Sequence, residues 1–184
     1  MKLSPRAKLV LLASLFLLPI VASTLVYLYW RPTGPTSNYG ELLKPASMPE
    51  VPLVDTNAKE FTFKQLRGKW VIVADDSGRC DAACVQKLIT VQQVRLALGR
   101  NAQRVERVFI VDDGRLGHEF ATAFAGMHVV AMPAGIPPSG PVGDRAHVYL
   151  VDPNGNVMMR WPAAPDGQRM IKDLERLLRA SQIG

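Results

Sequence analysis

A continuous apolar run, Trp70-Val-Ile-Val-Ala74, leads through a short polar turn into the only two cysteines of the chain, Cys80 and Cys84. Such a run, bounded by polar residues, is the pattern of a strand covered on both faces. The residues after it, Ala82 to Leu98, carry Val85, Leu88, Ile89, Val91, Val94, Leu96 and Leu98, a broad apolar helical face, and Gly99 follows as a C-cap. A buried strand feeding a helix through a thiol-bearing turn restricts the chain to an α/β architecture.

The rest of the domain follows the same logic. Val51 to Val54 and Phe61-Thr-Phe63 read as a hairpin around a polar turn at Asp55 to Lys59. Gln65 to Lys69 reads as a helical turn or loop. Val105 to Val111 and Met127 to Ala131 read as further strands, and His118 to Ala125 as a short helix. Pro133 to Pro141 is a loop. His147 to Val151 and Asn156 to Trp161 flank the turn Asp152-Pro-Asn-Gly155. Asp166 to Arg179 is an amphipathic helix burying Ile171, Leu174, Leu177 and Leu178. This order predicts a thioredoxin-like fold, a central mixed sheet flanked by helices on both faces.

Sulfurs at i and i+4 share one helix face, so Cys80 and Cys84 can bridge each other or grip one ion. The start of a helix stabilises a thiolate, the form that attacks disulfides and binds soft metals. In an exchange mechanism Cys80, nearer the turn and reachable from solvent, attacks, and Cys84 resolves the mixed disulfide. Arg79 favours the thiolate and Asp81 opposes it. The alternative is an inert structural disulfide, whose very short loop adds little chain entropy. A structural zinc site needs four ligands, and two cysteines supply half.

Leu9 to Trp30 is almost unbroken in its apolarity, with Pro19 inside it and no Asp or Glu before Glu41. At ~1.5 Å per residue it reaches roughly 30 Å, the depth of a bilayer's hydrocarbon core. Lys2, Arg6 and Lys8 keep the N-terminus in the cytoplasm, and Tyr27, Tyr29 and Trp30 form an aromatic collar at the far side. The run is longer than a signal peptide's apolar region and no A-x-A site follows, so an uncleaved anchor is favoured over a cleaved leader. The expected organisation is an anchor with its basic flank over 1–31, a Pro/Gly linker over 32–47 and one thioredoxin-like domain over 48–184. That domain then lies in the periplasm of a bacterial-type inner membrane, an oxidising compartment.

The 184 residues carry a formal charge of +6. Three of the 22 Lys and Arg residues flank the anchor. The others, including Arg95, Arg100, Arg104 and Arg107, and then Arg169, Lys172, Arg176 and Arg179, are scattered without interleaved aromatics. They read as solvated faces, and no nucleic-acid partner is expected.

Three stretches resemble the Sco/SenC family, membrane-anchored proteins that assemble the copper centre of cytochrome c oxidase. They are Phe61-Thr-Phe-Lys-Gln-Leu-Arg-Gly-Lys-Trp-Val-Ile-Val73, the C-x-x-x-C of Cys80-Asp-Ala-Ala-Cys84, and Val148-Tyr-Leu-Val-Asp-Pro-Asn-Gly155. The resemblance implies copper ligation by Cys80, Cys84 and one histidine, with oxidase subunits or assembly factors as partners. The chain departs from the pattern: Asp81 and Val85 stand where the family has prolines, and the family's histidine position falls on Asp144. His147 is the nearby candidate, and strand alternation would place it on the opposite face from Asp144 if both sit in regular strand. The competing class is a non-catalytic thioredoxin-like scaffold with a closed disulfide. The C-x-x-x-C spacing speaks against a general disulfide reductase of C-x-x-C type.

Other candidates have duller readings beside the functional ones. Asp75 and Asp76 end the central strand and could move protons to a thiol, or simply cap a polar strand end. Asp112 and Asp113 end the next strand, where a hard-cation site is conceivable. His118 is expected to be exposed and His128 to pack on the core. Met127, Met132, Met158 and Met159 are expected to fill core space rather than bind metal.

Overall fold

The computed structural model describes residues 4–29, 38–115, 122–133, 135–137, 139–181 and 183. Trp30, the linker residues 31–37 and His118 lie outside the described residues. The chain divides into two units, Met1–Ser37 and Asn38–Gly184.

The first unit contains one helix, α1 (Pro5–Tyr29), exposed along its described length with Pro19 inside it. It is long and apolar enough to cross a membrane.

The second unit is built on one eight-stranded sheet. Its strands are β1 (Glu41–Ser47), β2 (Leu53–Asp55), β3 (Glu60–Phe61), β4 (Trp70–Asp76), β5 (Val105–Val111), β6 (His128–Ala131), β7 (His147–Val151) and β8 (Asn156–Pro162). Their spatial order is β1-β8-β7-β4-β5-β6-β2-β3. β4 pairs in parallel with β5, and β5 with β6; β7 joins β4 antiparallel. The apolar run at Trp70 is therefore central, as its two-sided burial requires.

Strand alternation divides the core in two. Ile72, Ala74, Phe109, Val111, Val148 and Leu150 pack with both cysteines beneath α2 (Ala82–Ala97) and α3 (Gly167–Ala180). Val71, Val73, Val108, Ile110, Tyr149 and Val151 form the second cluster on the other face. Both α2 and α3 bear on the first face. The second is closed by Leu66 of the 3-10 turn Phe63–Leu66, by Phe61 and by Val142. The β2–β3 segment and the loop before β7 contribute the last two of these residues.

Glu41–Ser47, assigned from sequence to the linker, is instead an edge strand. Glu41 pairs with Arg160 and Ser47 with Asn156, and the register shifts between Leu42 and Ala46. Pro45 lies within that irregularity, the place where a residue without an N–H is tolerated. Just before β1, Tyr39 and Gly40 donate their backbone N–H groups to the Asp173 carboxylate at 3.1 and 2.8 Å. Trp161 Nε1 donates to the same group at 3.1 Å. Asp173 is 2% exposed, so three donors satisfy a carboxylate that burial would otherwise penalise. A Cβ on Gly40 would lie 2.6 Å from Met159 Sδ and 2.7 Å from Trp161 Nε1, so only glycine fits.

Candidate functional site: the disulfide at the β4–α2 junction

β4 ends at Asp76, the chain turns through Ser77–Arg79, and Asp81 caps α2 by accepting from the Cys84 N–H at 3.0 Å. Cys80 and Cys84 are joined by a disulfide, with Cα atoms 5.1 Å apart. Cys80 has φ +31°, a left-handed value unfavourable for a side-chain-bearing residue. Asp113 accepts from Gly78 N at 3.0 Å and fixes the turn against the end of β5.

The pair is more enclosed than the sequence suggested. Cys80 is 9% exposed and Cys84 1%. A cavity of about 380 Å³ opens beside Cys84, lined also by Asp76, Asp81, Lys87, Arg145 and Pro165.

Lys87, which motif reading passed over, is 4% exposed and follows Cys84 by three residues on α2, hence on the same helix face. Its ammonium donates to the Asp75 carbonyl at 3.0 Å, to Asp76 Oδ2 at 3.0 Å and to the Arg145 carbonyl at 3.1 Å. All three of its donors are used. Arg145 in turn makes two 2.6 Å hydrogen bonds to Asp112. Lys87 thus ties the end of β4 and the loop before β7 to the thiol-bearing helix. The signal available in sequence was only its spacing from Cys84.

Asp75 points to the opposite face and is 1% exposed. Burial pushes its carboxyl well above the usual range; the Gly143 N–H opposes this, and Asp112 and Asp144 add to it. One carboxyl oxygen accepts from Gly143 and the other has no partner among the described residues. Asp76, by contrast, lies on the thiol side as the partner of Lys87.

The structure does not bring His147 to the thiols. Val148 and Leu150 share the cysteines' face, whereas His147 alternates with Tyr149 onto the other, its ring centroid 6.0 Å from that of Tyr149. Its Nδ1 lies 2.8 Å from Asp144 Oδ2, and the Tyr149 hydroxyl donates to the same oxygen. Strand alternation does not separate Asp144 from His147, because Asp144 lies in the loop before β7 and not in regular strand. Burial pushes Asp144 up, but its hydrogen bonds from Tyr149 and His147 prevail and hold it below its ordinary value. Burial first, then Asp144, pushes Tyr149 up to about 12. Among the described residues, no group of three or more His, Cys, Asp or Glu side chains is placed to hold a metal ion.

The remaining candidates separate cleanly. His128 is half-buried: its ring lies 5.7 Å from that of buried Phe61, and its Nε2 lies 3.9 Å from Glu106. Met127, Met132 and Met159 are buried core residues, and Met158 packs against the core from a partly buried position. Asp112 is taken by Arg145, and Asp113 by backbone donors at Gly78 and Arg115.

A mixed sheet with a disulfide at the junction of its central strand and first helix defines a thioredoxin-like protein. The model of one such family, the transmembrane-like, thioredoxin-like C-terminal domain, matches residues 70–181, and the chain belongs to that family. Solved structures similar to the chain include copper-bound ScoI of Arabidopsis thaliana, at 19% identity and TM-score 0.62, covering 74% of this chain and 100% of that one. Copper-bound yeast Sco1 aligns at 18% identity and TM-score 0.62, over 74% of this chain and 91% of its own. Copper-bound ScoI of Bradyrhizobium japonicum aligns at 21% identity and TM-score 0.57, over 71% and 99%. At these identities the likeness establishes the fold. A search of curated proteins finds no match.

Proposed function

We propose that the chain is a membrane-anchored, Sco-like protein of the bacterial-type inner membrane. Its domain, on the periplasmic side, assists cytochrome c oxidase assembly by thiol–disulfide exchange at Cys80 and Cys84. The observation that carries this reading is the disulfide at the β4–α2 junction with a cavity alongside it. A client thiolate attacks the Cys80 sulfur, the more exposed of the two. The Cys80–Cys84 bond breaks and Cys84 leaves as a thiolate. A second client thiolate then displaces Cys80, leaving the client oxidised and the pair reduced; the reverse sequence reduces a client.

Copper enters as cargo. The reduced pair supplies two soft sulfur ligands of the kind that select Cu(I). His147 does not fit as their third partner, because it lies on the other face of the sheet and is bonded to Asp144. The oxidase as client is supported by the likeness to copper-bound Sco structures.

The burial of both sulfurs favours a second reading, a thioredoxin-like scaffold whose bridge stays closed. The reduction potential separates the two. Exchange chemistry requires a potential above about −300 mV, where cellular thiol systems can open the bond; a lower value identifies a permanent bridge.

A further inference from the structure

Arg107 is a cation with almost no exposure and almost no partner. It stands in the middle of β5, 3% exposed, and alternates with Phe109 and Val111 onto the face covered by α2. One guanidinium nitrogen donates to the Ala125 carbonyl across a long 3.4 Å, while Nε and Nη1 have no acceptor among the described residues. The neighbouring charge from α2 is a second cation, Arg95, whose Nε donates to the Val105 carbonyl at 2.7 Å. Desolvation, and then Arg95, pull Arg107 below its usual range. Glu106 alternates to the opposite face, where it approaches His128.

A buried guanidinium with idle donors and a like-charged neighbour is unfavourable as it stands. An oxyanion resolves both defects, accepting from the free N–H groups and neutralising the pair. Gly126, at φ +76°, lies beside the guanidinium: a Cβ there would stand 3.5 Å from Nη2, in ordinary contact. We propose that Arg107 and Arg95 form a binding site for a small free oxyanion, of which inorganic phosphate is the simplest probe. The enclosure excludes a side chain carried on a folded partner, which would need a wider opening than 3% exposure leaves. The bound ion would fasten β5 and α2 to the turn at Ala125 and Gly126. The site stands apart from the thiols and does not depend on the function proposed for them.

The test uses the full-length protein in detergent. Phosphate is titrated against chloride at constant ionic strength and pH, and the thermal unfolding midpoint is read. A saturable rise is expected for the native protein. It should vanish in Arg107→Gln, and its half-saturation should move upward by about tenfold in Arg95→Gln. A linear rise of equal slope in all three proteins would show only the general salting effect of phosphate and overturn the proposal. If Arg107→Gln does not fold, calorimetric titration of the native protein decides: one phosphate per chain supports the site, and no binding heat overturns it.

Discussion

His147 is bonded to Asp144 at 2.8 Å, on the face of the sheet that the disulfide does not occupy. Under the proposed function, copper binding therefore rests on the two sulfurs. Replacing His147 by alanine should change Cu(I) affinity of the reduced protein by no more than about twofold, whereas Cys80→Ser should remove tight binding. Anaerobic competition against a Cu(I) chelator measures both. A large loss in the histidine variant would mean that the loop before β7 rearranges on reduction.

Lys87 binds the end of β4 to the loop before β7 from within the protein. Lys87→Met would leave Asp76 without its cation and remove one donor from each of the Asp75 and Arg145 carbonyls. Because Asp76 keeps 18% side-chain exposure, the loss should fall near the low end for a broken buried pair, about 3 kcal/mol. Denaturant unfolding of the oxidised protein reads this directly.

Asp75 gives stability a distinctive pH dependence. Its folded pKa is raised by burial, so between the unfolded value, about 4, and the folded one the native state holds more protons than the unfolded state. Its contribution is fully present below about pH 4 and is lost as pH rises through the folded pKa. Relative to Asp75→Asn, which cannot ionise, the native protein should lose unfolding free energy as pH rises from 4 toward neutrality. Parallel curves for the two proteins would contradict this.

Gly40 lies against Met159 and Trp161 with no space for a methyl group. Gly40→Ala should destabilise the domain by about 1–3 kcal/mol, the usual cost of overpacking, in urea unfolding.

Much of this architecture was legible in the sequence because it is written as hydrophobic pattern. Trp70 to Ala74 announced a central strand, and the Asp152–Gly155 turn announced the β7–β8 hairpin. β1 was not legible: most of its side chains are exposed and Pro45 interrupts it, so it carries neither alternation nor an apolar run. The position of the thiols was readable from their spacing, but their enclosure was not, since that depends on how the loops before β7 and after β8 close over α2. Lys87 and Asp173 were invisible for a related reason. A charged residue in a helix reads as solvent-facing until a distant segment supplies its partners, here the Arg145 carbonyl and the backbone at Tyr39 and Gly40.

The Asp173 carboxylate has a mechanical consequence. It grips the backbone N–H groups at Tyr39 and Gly40, where the folded domain begins. A pull on the preceding segment is then borne first by a desolvated anion on the last helix, before the β1 pairing is loaded. Force applied at Asn38 would therefore load α3 and Trp161 before the β4–α2 junction.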